Sequence, residues 1–142
     1  MDGSQIFEIV SKDPCMQEHF RGIFARDRVP RCLPRGFYVW NTAKHSEKGE
    51  HWVAVHVSNY HKVEFFDSFG KPPTFYGWNI SGGVKYNKKS LQSINSSLCG
   101  MYALFYIYFR CYGIEMESIL AKFGTNTHEN DSHVLHFVQL FK

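Results

Sequence analysis

The sequence lacks the features that would mark a membrane or secreted protein. No apolar run in its 142 residues reaches the roughly 18 residues of a membrane span, and Arg110 ends the longest one. The first residues include Asp2 and Glu8 and lack the basic-then-apolar order of a signal peptide. Repeats, low-complexity tracts and clear linkers are also missing. We therefore expect an intracellular protein with one compact domain over residues 1–142.

Cysteine is scarce, and its spacing argues against a metal site. The four cysteines form no C-x-x-C pair, so zinc binding is not predicted. His51 and His56 lie five residues apart in a predicted strand, hence on opposite faces, and cannot share a metal ion. We expect no metal or other cofactor. A reducing compartment would keep every cysteine as a free thiol, and these are Cys15, Cys32, Cys99 and Cys111.

Charge of either sign is modest, which gives little support for a nucleic-acid-binding protein. The formal net charge is +3, although basic residues cluster over 26–35 and 85–89. Such clusters are ordinarily solvated surface, and the alternative is a weak, salt-sensitive attraction to nucleic acid. Apolar residues, by contrast, are plentiful. Hydrophobic residues make up 44% of the chain and aromatic residues 17%, enough for a sizeable core.

Residue patterns predict helices at both ends of the chain and strands between them, which indicates an α+β domain. Strands are predicted where β-branched and aromatic residues concentrate, over 36–41, 51–57, 62–67 and within 84–93. Helices are predicted over 4–12, 15–24, 96–113, 115–123 and 130–141. The expected end residues of these helices are Ser4, Ser96 or Ser97, Gly113, and Asn130 or Asp131.

The strands over 51–57 and 62–67 are predicted to form a hairpin that aligns a histidine with an acid. A turn centred on Asn59 would place Val55 opposite Val63 and His51 opposite Asp67. Side chains of such a pair are close enough for an imidazole–carboxylate hydrogen bond, provided that this register is correct. A structural pair at the end of a sheet is the alternative interpretation.

Cys99 begins the most apolar helical segment of the chain. At a helix start, unpaired N–H groups and the helix dipole favour a thiolate, and Gly100 lets another chain approach closely. A neighbouring imidazolium and an acid that orients it would complete the requirements of a cysteine hydrolase. Gln92, seven residues earlier, could supply a side-chain amide for an oxyanion. The alternative is a buried, inert cysteine.

The order of these motifs resembles one protease family. G-E-H-W, then F-F-D-S-F-G, L-Q-S and S-S-L-C-G-M-Y-A-L closely resemble adenain, the adenovirus-type cysteine protease, which Polinton (Maverick) elements also encode. The similarity covers most of residues 6–112. It implies a papain-like or adenain-like fold with a central mixed or antiparallel sheet and the nucleophile at the start of a buried helix.

The resemblance also implies roles for individual residues. Cys99 matches the nucleophile, His51 the general base, Asp67 the acidic third member and Gln92 the oxyanion residue. The family cleaves viral or capsid precursor proteins after Gly-Gly or Gly-x, with an apolar residue upstream. A tunnel with Trp52 in its wall would exclude larger side chains, so Trp52 and Gly100 are the expected substrate-binding residues.

This chain departs from the adenovirus pattern in ways that bear on its regulation. It is shorter, and no cysteine lies between Asp67 and Gln92, where the adenovirus enzymes attach an activating peptide through a disulfide. Covalent activation is therefore not expected, and the low net charge argues against activation by DNA. We expect a monomer that does not bind membranes. The resemblance places it in the host nucleus or the virus particle.

Two other functions remain open at this stage. Proteases for SUMO and other ubiquitin-like proteins share the His-Trp, Asp, Gln and Cys-Gly order, and an inactive relative could bind only peptide or DNA. The segment 80–84, Ile-Ser-Gly-Gly-Val, also resembles the family's cleavage site. Self-cleavage between Gly83 and Val84 is one interpretation, and a glycine turn before a strand is the other.

Overall fold

A five-stranded mixed sheet forms the centre of the molecule. The computed structural model describes residues 1–47, 50–59 and 61–142. The strands follow one another in sequence order. The two outer pairs are parallel and the two inner pairs antiparallel. The predicted α+β class with a mixed sheet is therefore confirmed. The strands are β1 (Phe20–Phe24), β2 (Gly36–Asn41), β3 (Trp52–Val57), β4 (Val63–Phe66) and β5 (Val84–Tyr86).

The described residues form five α-helices beside the sheet, and the third is the most deeply buried. They are α1 (Gly3–Val10), α2 (Pro14–His19), α3 (Cys99–Cys111), α4 (Met116–Leu120) and α5 (Thr127–Gln139). Short 3₁₀ turns occupy Arg26–Arg28 and Pro73–Tyr76. Among the described residues, none of the helices combines the length and apolar character that a membrane crossing requires.

Both faces of the sheet are covered, because strand side chains alternate between two apolar clusters. Phe37, Val39, Ala54 and Phe66 join the cluster that contains α3. Side chains at the alternate strand positions point to the other face and pack with Trp78. They include Tyr38, Trp40, Val53, Val55 and Phe65. Helix α3 packs on the first face and is covered on its other sides by α2, α4 and α5, which explains why it is apolar almost all round.

The β3–β4 hairpin forms, but its predicted register was wrong by two residues. Val55 pairs with Phe65 rather than Val63, and His56 pairs with Glu64. The loop is wider than predicted, since the Ser58 N–H donates to the Lys62 carbonyl at 3.0 Å. A two-residue shift leaves every side chain on its predicted face, because the side-chain period of a strand is two. Residues 48, 49 and 60 of the predicted loops lie outside the described residues.

The second predicted helix was wrong in its second half. Helix α2 ends at His19, and Phe20–Phe24 form the edge strand β1, which pairs parallel with β2. Phe and Ile are good strand formers and Gly22 is a poor helix former, so pairing with β2 overrides the helical pattern. The glycine-turn interpretation of 80–84 fits the structure, because Gly82 and Gly83 have φ values of 83° and 84° just before β5.

Several predicted caps and one cysteine prediction also need correction. Helix α1 is capped by Asp2, which exchanges hydrogen bonds with Gln5, rather than by Ser4. Helix α3 has Leu98 at its N-cap position, without a side-chain cap, while Gly113 follows its end as predicted, with φ of 90°. Cys15 and Cys111, expected as free thiols, form a disulfide, whereas Cys32 and Cys99 are free.

Helix α5 begins earlier than predicted, and its cap offers a test of the fold. Asn126 accepts hydrogen bonds from the N–H groups of His128 and Glu129 at 3.1 and 3.2 Å, so Asn130 and Asp131 lie inside the helix. We expect Asn126→Ala to lower the free energy of unfolding by about 1 kcal/mol, because two helical N–H groups lose their acceptor. Urea unfolding measures this, with the exposed Thr125→Ala as control. Equal stability of the two variants would contradict the assignment.

Candidate active site

The hairpin brings His51 and Asp67 together just beyond its last strand pair. His51 immediately precedes β3 and Asp67 immediately follows β4, so antiparallel pairing places both at one edge of the sheet. The ring Nε2 of His51 lies 2.6 Å from Asp67 Oδ1. The predicted contact is therefore present, although the two residues are not register partners. Both are buried, with His51 9% and Asp67 0% exposed.

Four hydrogen bonds converge on the buried carboxylate of Asp67. Oδ1 accepts the N–H of Phe69 at 3.0 Å besides contacting His51. Oδ2 accepts the N–H of Lys71 at 3.1 Å and the hydroxyl of Tyr76 at 2.5 Å. Burial alone would raise the pKa of Asp67, but the hydrogen bond and charge of His51 and the hydrogen bonds from the Tyr76 hydroxyl and the Phe69 N–H lower it below the ordinary value. Asp67 is therefore held as a carboxylate.

Tyr76 and Asn87 take part in this arrangement, and reasoning from the sequence missed both. Tyr76 lies in a Gly/Pro-rich connection whose spacing gives no hint that its hydroxyl reaches Asp67. Its pKa is raised by burial and by Asp67, so the hydroxyl remains a donor. Asn87 accepts the Asp67 N–H at 2.9 Å and donates to the Asp67 carbonyl at 2.5 Å. Asn87 thus holds the backbone of Asp67, while the four hydrogen bonds above hold its side chain.

Cys99 lies in the first turn of α3, as predicted, where it is the first helical residue, and its sulfur faces the start of β3. The Trp52 N–H donates to Cys99 Sγ at 3.4 Å. Burial raises the pKa of the Cys99 thiol, but the hydrogen bond and charge of His51 and the N–H groups of Trp52 and Gly100 outweigh burial and lower it. The surroundings therefore favour a thiolate.

The protonation of His51 complements that of Cys99. Burial lowers the pKa of His51, but hydrogen bonds to Asp67 and Cys99 and their negative charges raise it to about 9. Since Nε2 contacts Asp67, Nδ1 is the ring nitrogen left for the sulfur. The ring of Phe69 stacks on His51 with centroids 4.8 Å apart, which fixes the imidazole plane. The imidazole is thus held protonated near neutral pH, beside a thiol whose pKa it lowers.

Gln92 lies in the cavity that contains Cys99, and Ser68 orients its side chain. The Ser68 hydroxyl donates to Gln92 Oε1 at 2.5 Å, so Nε2 faces the other way. Nε2 donates to the Ser96 carbonyl at 2.8 Å and lies 3.2 Å from the Ser96 hydroxyl. The amide N–H groups are thus on the side of the loop that leads into α3. Whether Gln92 stabilises an oxyanion stays a prediction.

The two predicted substrate-binding residues lie beside the sulfur. Trp52 lines the cavity of about 600 Å³ that contains Cys99 and His51, and its ring N–H donates to the Met1 carbonyl at 3.0 Å. Gly100 is buried, and a Cβ there would lie 3.4 Å from Trp52 Cδ1 and 3.5 Å from Ile6 Cδ1. The space beside Gly100 is therefore filled by the chain itself, and its role in binding a substrate stays a prediction.

A second cavity continues the first across His51. It measures about 620 Å³ and shares Glu50, His51 and Phe69 with the cavity that contains Cys99. Together they form a groove that extends to both sides of the imidazole. Among the described residues, the side chains that could share a metal ion are Cys15, His19 and Cys111, none of which belongs to this groove.

Comparisons with known proteins give similarity to solved structures but no match by sequence. No protein-family model matches the chain, and no curated protein matches its sequence. Among solved structures, the chain is similar to the ASFV pS273R protease, with 25% sequence identity and a TM-score of 0.48. The matched region covers 75% of this chain and 44% of that protease, so the chain spans less than half of its length.

The lowered pKa of Cys99 predicts unusual reactivity of its thiol. In a Cys32→Ser background, we expect iodoacetamide to modify Cys99 near pH 7 faster than it modifies a model thiol, because the pKa of Cys99 is lowered. His51→Ala should slow this reaction by at least about tenfold, since each unit of pKa change is a factor of ten in thiolate.

The pH dependence of alkylation, followed by mass spectrometry, measures this effect. The exposed His45→Ala serves as control and should leave the rate unchanged. A Cys99 that reacts like a model thiol, or equally in both histidine variants, would exclude an activated thiolate.

Proposed function

We propose that the protein is a cysteine endopeptidase with a papain-like or adenain-like catalytic arrangement. The observation that carries this proposal is the line Asp67–His51–Cys99, in which His51 Nε2 lies 2.6 Å from Asp67 Oδ1 and His51 and Cys99 border the same cavity. In this line a buried carboxylate orients an imidazole, and the imidazole lowers the pKa of a thiol at a helix start. These are the properties that acyl transfer by a cysteine nucleophile requires.

The geometry supports a two-step mechanism. The Cys99 thiolate would attack the scissile carbonyl carbon, and the proton of His51 Nδ1 would pass to the leaving amine as the C–N bond breaks. Water would then attack the acyl-enzyme, with His51 accepting its proton and the thiolate departing. The developing oxyanion would meet the Gln92 amide and the Cys99 backbone N–H at the start of α3. Asp67 would hold the imidazole in the orientation that both steps need.

The groove supports a polypeptide substrate in an extended conformation. It runs past the sulfur on both sides of His51, as cleavage within a chain requires. The exposed Ile94 and Phe75, 85% and 63% accessible, lie along it and could contact apolar side chains of a substrate. The resemblance to adenain suggests viral or virus-like precursor proteins, cleaved after Gly-Gly or Gly-x. Trp52 beside the sulfur would favour glycine there.

A direct test compares two substrate classes. Precursor-type peptides with Gly-Gly or Gly-x sites and SUMO conjugates are incubated separately with the protein, and the products are sequenced from their N-termini. Cleavage of the peptides alone supports the proposal, and cleavage of the conjugates alone would instead assign a ubiquitin-like-protein protease. No cleavage of either class, with Cys99 unreactive, would favour an inactive binding protein.

Replacement of the predicted nucleophile and of the predicted oxyanion donor should lower turnover to different extents. We expect Cys99→Ala to abolish cleavage, because no other thiolate is available in the groove. Gln92→Ala should lower kcat by about 10²-fold or more if the amide stabilises an oxyanion. Steady-state kinetics measures both effects, with the exposed Gln17→Ala as the matched control. Full activity of Gln92→Ala would remove Gln92 from this role.

Tyr76 gives a sharper test of the positioning network. Tyr76→Phe removes one hydrogen bond to a buried charge, worth about 1.5–3 kcal/mol, and leaves the ring in place. We expect kcat to fall about tenfold with KM little changed, because Tyr76 acts on His51 through Asp67. Tyr86→Phe, in strand β5 outside this network, is the control. Equal kcat values for the two variants would show that the hydroxyl does not position the site.

A further inference from the structure

Cys15, His19 and Cys111 form a cluster that the proposed protease function does not use. Cys15 and His19 are four residues apart on α2, so they project from one face of that helix. Cys111 is the last residue of α3. One ligand atom from each residue lies within 4.8 Å of the other two. Tetrahedral zinc requires two sulfurs and a nitrogen about 3.5–3.8 Å apart, which small side-chain movements would achieve.

We propose that the chain, once its Cys15–Cys111 disulfide is reduced, binds one Zn²⁺ ion through Cys15, His19 and Cys111. Two thiolates and a neutral imidazole are a ligand set that zinc prefers, and water would complete the tetrahedron. The sequence did not predict this site because its third ligand comes from another helix, 96 residues from Cys15.

The residues around the cluster favour two thiolates together with a bound cation. Cys111 ends a 13-residue helix, where the negative end of the helix dipole favours a cation. His19 and Cys111 also line a cavity of about 290 Å³ with Arg35 and Arg110. The two guanidinium groups favour the thiolate forms of the cysteines. The complex of Zn²⁺ with two thiolates and a neutral imidazole has zero net charge, so the two arginines would not repel it. The cavity also leaves room for a water ligand.

The site can hold either the disulfide or zinc, because both states use the sulfurs of Cys15 and Cys111. A dithiol reductant gives two electrons and two protons to the Cys15–Cys111 bond and itself becomes a disulfide. The two thiols then release two protons as zinc binds. In the reverse direction, a small-molecule disulfide accepts two electrons from the thiolates, the Cys15–Cys111 bond re-forms and the metal leaves. The site lies about 18 Å along α3 from Cys99, given a rise of about 1.5 Å per residue.

The test uses the full chain carrying Cys99→Ala, since Cys99 and His51 could otherwise bind zinc themselves. The protein is reduced with a phosphine, freed of reductant without oxygen, and titrated with Zn²⁺ against a chromophoric chelator. We expect one equivalent to bind, and oxidised glutathione to release it as the disulfide forms. Because this background has no nucleophile, the result is independent of the proposed protease function.

Single substitutions decide whether the three residues are the ligands. His19→Ala leaves both cysteines in place and should weaken zinc binding by at least about tenfold. His19→Cys supplies another zinc ligand and should restore it, and the exposed Cys32→Ser should have no effect. Near-UV circular dichroism confirms that each variant is folded. Absence of stoichiometric binding, or equal affinity of His19→Ala and its parent, would overturn the proposal.

Discussion

The buried carboxylate of Asp67 is the constraint on which the rest of the site depends. A charge with no exposure to solvent is costly unless it is fully hydrogen-bonded, and here each oxygen has two partners. Two of those partners are backbone N–H groups, so the chain after β4 must turn around the carboxylate. The other two tie it to the start of β3 and to the 3₁₀ turn at Tyr76.

Ser68, the residue after Asp67, positions Gln92 on the other side of the site. The Ser68 carbonyl accepts the N–H groups of Leu91 and Gln92 at 2.8 and 3.1 Å, and its hydroxyl orients the Gln92 amide. Two consecutive residues at one strand end therefore hold both the imidazole and the candidate oxyanion donor. Only the sulfur comes from elsewhere, on a helix whose apolar surface packs against the same sheet.

The parts of the site that the sequence predicted are those specified by local patterns. Residue type marks β3 and β4, and antiparallel pairing alone brings His51 and Asp67 to one edge, even with the register wrong by two. The start of an apolar helix marks Cys99 in the same way, although Leu98 rather than Ser96 or Ser97 holds the N-cap position. Tyr76, Ser68 and Asn87 could not be found so easily, because their contacts depend on how irregular loops fold over the carboxylate.

The errors in the fold have a common physical origin in tertiary contacts. Phe20–Phe24 carries a pattern compatible with a helix, and only the presence of β2 beside it makes a strand more favourable. The partner of Cys15 lies 96 residues away, on a helix that packs against α2, so no spacing rule reveals it. Asn126 outcompetes Asn130 as a cap because Asn130 is buried and bonded to Leu91 and Gly124.

The missing side chain at Gly100 links the first helix of the protein to the reactive sulfur. A Cβ there would lie 3.3 Å from Met1 Sδ, 3.4 Å from Trp52 Cδ1 of β3 and 3.5 Å from Ile6 Cδ1 of α1, so a side chain longer than one methyl group would have to displace these neighbours. The tip of α3 is therefore wedged between a strand and a helix that carries none of the proposed reacting groups. Side chains of α1 and β3 therefore limit the size of the residue that position 100 can carry, one residue after the sulfur.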